Sequence, residues 1–182
     1  MGRMRNYQRV CIGISHTAAI SLAMFFLITA SSAQTFPRFD DYPMTVYSGK
    51  IHPPTWIRRV ADGEWKDNLG KLVGPPEVNF AGKYFIALHS CGTGCRYYTL
   101  TDLSSGRSLD VLRGFDAGEA APKTRDGHPY TTSLVTRANS KLLVAQYQVD
   151  LDGGEECRER AFVFDGDRIK PISKTRRACT RY

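Results

Sequence analysis

Alternation of side chains along extended stretches is the dominant pattern of this chain. Residues 83–89, KYFIALH, put Tyr84, Ile86 and Leu88 on one face of a strand and Phe85, Ala87 and His89 on the other. Both faces are largely apolar, which predicts a central strand covered on two sides. RYYTLTDL (Arg96–Leu103) is rich in β-formers, Ser104-Ser105-Gly106 reads as a turn, and RSLDVL (Arg107–Leu112) returns. Arg113–Pro129 has the Gly, Ala, Pro and charge content of a loop. YTTSLVTR (Tyr130–Arg137) and KLLVAQYQVD (Lys141–Asp150) predict two further strands, and LDGGEEC a loop. RERAFVF (Arg158–Phe164) and RIKPIS (Arg168–Ser173) flank Asp165-Gly166-Asp167, a short hairpin signal.

Upstream the pattern weakens. Residues 34–54 read as an extended lead-in, with a short hairpin around Ser48-Gly49 in MTVYSGKIH, stopped by Pro53 and Pro54. From Thr55, a capping residue followed by Trp56, Ile57 and Val60 at helical spacing predicts one short helix, ended by Gly63. The expected fold is therefore mainly β. Two strand–turn–strand meanders (83–112 and 141–173) form a sandwich or small barrel, with one short N-terminal helix.

The first 33 residues change the picture of where the chain works. Arg3, Arg5 and Arg9 precede the apolar run Thr17–Ala30, and Ser31 and Ala33 stand at −3 and −1 of a cleavage site. The run of 14 residues is shorter than the ~20 a membrane span needs. A signal peptide over 1–33 and a periplasmic or secreted β domain over 55–182, behind the lead-in, are expected. Loss of the leader takes 25 basic residues to 22 against 18 acidic, and the net charge from +7 to +4. That charge suits an exported protein and points to no nucleic acid.

Export also sets the chemistry of the cysteines. Cys91, Cys95, Cys157 and Cys179 remain after cleavage, and an even count in an oxidising compartment predicts disulfides. Three pairings exist; Cys91–Cys95 with Cys157–Cys179 is favoured, because glycines between the first two let the chain fold back and the second would anchor the tail.

The loop HSCGTGC raises two rivals to a staple. His89, Cys91 and Cys95 offer three zinc donors, and a His beside a thiol offers redox or nucleophilic chemistry. The H-x-C-x3-C spacing matches no known finger, and export favours the bridge. Asp150, Asp152 and Glu155 carry the start of a calcium-loop pattern without its full span. Tyr97 and Tyr98, next to the loop, and His89 are the candidate contact residues, since tyrosines are enriched at interfaces. The basic C-terminal run, Lys170 to Arg181, is either a solvated tail or a contact for an anionic partner.

NFAGKYFIALHSCGTGC with TDLSSGR resembles a group of small exported bacterial proteins of uncharacterised function. In them an Asn-Phe-Ala-Gly-[His/Lys]-Tyr segment leads to a strand, a Cys-Gly-x-x-Cys turn, a second strand, and an Asp with a turn Gly. The matching positions here are Asn79–Tyr84, Cys91–Cys95, Asp102 and Gly106, with Lys141–Val144 similar to a later run. The resemblance is good over residues 56–112 and loose elsewhere. It implies a β fold and export, and carries no catalytic residue.

The reading is a binding or interaction module without a cofactor, whose partner is an envelope protein or cell-wall component. An enzyme using the His89–Cys91–Cys95 loop is the alternative, and a structural envelope component a third.

Overall fold

Residues 35–92, 95–118 and 120–182 are described by the computed structural model, so the signal segment lies outside the described residues. The strands are β1 (Ile57–Arg59), β2 (Trp65–Asp67), β3 (Leu72–Val73), β4 (Tyr84–Gly92), β5 (Cys95–Asp102), β6 (Arg107–Leu109), β7 (Tyr130–Val135), β8 (Leu142–Leu151), β9 (Gly154–Phe164) and β10 (Ile169–Pro171). They pair antiparallel into three sheets, ordered β1-β2-β3, β4-β5-β6 and β10-β9-β8-β7.

The two larger sheets face each other as a sandwich. Alternation sends Tyr84, Ile86, Tyr98 and Leu100 of one and Leu143, Ala145, Phe162 and Phe164 of the other into a shared core. The outer faces are also covered, as the doubly apolar β4 requires. Phe85 and Ala87 pack with Leu103 and Ile57 of the small sheet. Leu142, Val144 and Ala161 pack with Phe39 of the lead-in. The central cluster holds 12 buried side chains. At ~1.5–3 kcal/mol for each large one, burial outweighs the ~2–4 kcal/mol of a disulfide. The bridges brace the fold rather than create it.

Several expectations need correction. The segment predicted as a short helix from Thr55 is the β1-β2-β3 meander instead. Gly63 (φ +81°) and Gly70 (φ +74°) make its two turns, a conformation that breaks helices and costs other residues. The stretch 44–52 forms no hairpin; it is an extended strap whose Met44 and Tyr47 amides donate to Asn139 O and Gly82 O, at 2.7 and 2.6 Å. The acidic 151–157 stretch is a loop only at the turn Asp152-Gly153, since β8 and β9 pair on either side of it as far as Leu151↔Gly154. The 113–129 segment is only partly a surface loop: Phe115 and Ala117 are buried, and Ala117 bridges to Arg96.

Candidate functional site

His89 belongs to a buried polar chain. It sits on β4 opposite Tyr97 of β5, with its ring stacked on Tyr97 at 4.4 Å and met edge-on by Trp56 at 4.7 Å. Nδ1 lies 2.8 Å from Asp67 Oδ2, and Nε2 lies 3.0 Å from Thr99 Oγ1. Asp67 Oδ1 accepts the amides of Leu69 and Lys71. Burial would raise the Asp67 pKa, but the bonds from His89 and those two amides outweigh it and hold the carboxyl below its ordinary value. With a carboxylate on Nδ1, a neutral imidazole carries its proton there and accepts the Thr99 hydroxyl at Nε2.

Carboxylate, imidazole and hydroxyl stand in the order of an acyl-transfer triad. Thr99, however, lies mid-strand opposite Ala87. The adjoining hollow, lined by Leu88, His89, Ser90, Gly92, Cys95 and Arg96, is about 110 Å³, against ~300–1,000 Å³ for small-molecule sites. The arrangement locks the small sheet onto β4.

Beside it, Cys91 and Cys95 are bridged, with Cα atoms 5.1 Å apart, where β4 and β5 slip register after Ser90. Both ring nitrogens of His89 are engaged elsewhere, so the histidine is not aimed at the sulfurs as a base or co-ligand. His89 is also not a surface contact, being buried, and neither is Tyr98, whose hydroxyl donates to Thr132 O at 2.8 Å from within the core. Tyr97 is half-buried against His89. Among the described residues, no three His, Cys, Asp or Glu side chains converge as a metal site. Asp150 and Glu155 face each other across the β8–β9 hairpin, and Glu155 accepts Gln148 Nε2.

The C-terminal run is docked. Cys157–Cys179 ties it to β9. The buried Glu159 carboxylate accepts the Arg176 guanidinium, the Gln146 amide and both the amide and hydroxyl of Thr180. Arg177 pairs with Glu156, and Lys170 with Asp165.

A different region offers a ligand-sized space. An apolar groove of about 610 Å³ runs between the strap (Met44, Thr45, Val46, Tyr47), the turn Ala81–Tyr84, and Lys141, Phe164, Asp165 and Gly166. Ala81–Tyr84 build one wall, and the residues from Asn79 onward hold it in place. Asn79 exchanges two hydrogen bonds with the Ile86 backbone, at 2.9 and 2.8 Å, and Phe80 is wholly buried. Ala81 and Gly82 turn the chain at φ +44° and +81°. A Cβ on Gly82 would meet Thr45 O at 2.5 Å, so only glycine lets the strap lie this close. Lys83 reaches Asp102 at 2.7 Å. Asp102 in turn accepts the amide and hydroxyl of Ser104, organising the turn that Gly106 (φ +76°) completes.

Sequence reasoning missed this groove. Its one local signal is Met44 and Val46, alternating with polar neighbours yet 39% and 43% exposed in the structure. Compared with known proteins, the chain matches no family model, no curated protein and no solved structure.

Proposed function

We propose that this chain is an exported binding module, periplasmic or secreted, that seats a ligand in the groove between the 44–47 strap and the 81–84 turn. The groove carries this reading. It has the volume of a small-molecule site and a mostly apolar wall, and the turn lining it is fixed by Asn79, Phe80 and the Lys83–Asp102 pair. Two supports are independent of it. The paired cysteines fit an oxidising compartment, and the leader has the pattern of a signal peptide. No helix among the described residues is long and apolar enough to cross a membrane.

The test has two parts. The full-length gene is expressed in a bacterium and the envelope and medium fractions are analysed by N-terminal sequencing. Chains starting at Gln34, outside the cytoplasm, are expected; uncleaved chains in the cytosol would refute export. The recovered protein is then titrated with an environment-sensitive apolar dye. Saturable one-to-one binding is expected, lost when Met44 and Val46 are both changed to Asn at unchanged melting temperature. Binding that ignores this double variant would refute the groove as the ligand seat.

A further inference from the structure

The charges around the groove are not equivalent. Lys83 is paired with Asp102 at 2.7 Å. Asp165, the acid in the lining, is paired with Lys170. Lys141 also lines the groove. Among the described residues it makes no ion pair; Asp165, which shares the lining and feels its charge, is held by Lys170, and residue 141 is half-buried. An ammonium with no ion pair of its own in an apolar groove gains from a ligand anion, because the ligand both neutralises it and excludes water from the pair. The lining also holds Met44, Val46, Tyr84 and Phe164, a set of apolar and aromatic side chains with a pliable methionine.

We infer that the ligand is a single-chain amphiphile with one anionic head, its head at the Lys141 ammonium and its tail along Met44, Val46, Tyr84 and Phe164. This rests on the groove being the ligand seat. A cationic head would meet like charge from Lys141 and Lys83. A neutral head would leave the Lys141 ammonium without an ion pair of its own, since Asp165 is held by Lys170. The backbone of Lys141 bonds to Tyr42 O and Phe164 N, and those bonds survive replacement of its side chain, so the residue is testable without loss of the fold.

The experiment is calorimetric titration of the protein recovered from the envelope with decanoate, decanol and decyltrimethylammonium, each below its micelle threshold. Decanoate is expected to bind one-to-one and about tenfold more tightly than either counterpart, the scale of one charge-assisted contact. Lys141→Ala should erase that advantage, so that decanoate and decanol bind the variant with equal affinity. The Met44→Asn, Val46→Asn double variant should abolish binding of all three. Equal affinity for the three heads, or no effect of Lys141→Ala, overturns the assignment of the head; the groove reading then stands if the double variant still abolishes binding. Absence of binding by all three, or binding indifferent to the double variant, overturns both.

Discussion

Asp67 is where one atom's identity has the largest consequence. Replacing it with Ala leaves three donors facing a void: the amides of Leu69 and Lys71 and the Nδ1–H of His89. Leu69 is 54% exposed, so water can reach the outer donors. His89, buried like Asp67 itself, cannot be rescued this way. Each buried donor left unpaired costs about 1–3 kcal/mol, a large part of the ~5–15 kcal/mol that holds a domain together. Asp67→Asn should behave quite differently. Both backbone amides donate to Oδ1 and only His89 meets Oδ2. An Asn therefore keeps Oδ1 as acceptor and places its NH₂ against His89. The network closes again if the imidazole moves its proton from Nδ1 to Nε2 and donates to Thr99, at a cost of about 1 kcal/mol. The pH dependence separates the two further. The Asp67 pKa in the folded chain lies below its ordinary 3.8. Its contribution is then whole above the unfolded value and fades as pH falls through the folded one. The stability difference between parent and Asp67→Asn should be flat above about pH 5 and shrink below about pH 4. Guanidinium unfolding across pH gives the energies, and nitrogen-15 NMR of His89 at mildly alkaline pH gives the tautomer. Equal losses for the Ala and Asn variants, or an Asn variant that keeps the proton on Nδ1, would refute the reasoning.

Other parts of the scaffold make sharper or coarser tests. Replacing Cys157 and Cys179 together by Ser should lower stability by about 3 kcal/mol and the Cys91, Cys95 pair by about 2 kcal/mol, because the cysteines are separated by 22 and 4 residues; identical unfolding midpoints for the two variants would contradict this. Glu159→Ala should speed amide exchange at Arg176 and Thr180 at least about tenfold while the tail stays tethered at Cys179, and unchanged protection would show that the carboxylate does not hold the tail. Burial would raise the Glu159 pKa, but bonds from Thr180, Arg176 and Gln146 hold it below the usual value. Tail protection should accordingly weaken as pH falls below about 4. Gly82→Ala, strained at φ +81° and set against Thr45 O, should cost about 2 kcal/mol and free the strap; a melting temperature equal to the parent's would contradict the packing described for it.

Where a residue's environment comes from its own neighbours in sequence, the chain states it openly. The doubly apolar KYFIALH predicted a central strand covered on both faces. β4 is covered on both faces except at Leu88, 47% exposed. It stands at the edge of its sheet, however, paired only with β5, because its second cover comes from the small sheet packed on its face and not from a neighbouring strand. Asp165-Gly166-Asp167 announced a hairpin, and Gly166 turns it at φ +72°. Of the three cysteine pairings open to the sequence, the favoured one forms, Cys91–Cys95 across its glycine turn and Cys157–Cys179 at the tail. Trp56, Ile57 and Val60 misled because three apolar residues fit a helical face and a short strand with its turn equally well. Pairing with Trp65–Asp67, eight residues and a glycine turn away, decided it.

The sites were hidden for a stronger reason. Nothing in GEWKDNLG marks Asp67 as buried; a lone carboxylate between Lys66 and Asn68 reads as surface until β2 is laid against β4 and His89 arrives 2.8 Å away. The Tyr97 and Tyr98 pair likewise showed that one side chain must face each way, while only the sandwich determined that Tyr98 is the one inside. The groove joins residues 44–47, 81–84, 141 and 164–166, so it exists only once the strap, a turn and two sheets have met. Alternation and turn chemistry act between neighbours and are written in the chain; burial, pairing of charges and the shape of a cavity act between strangers, and packing alone brings those together.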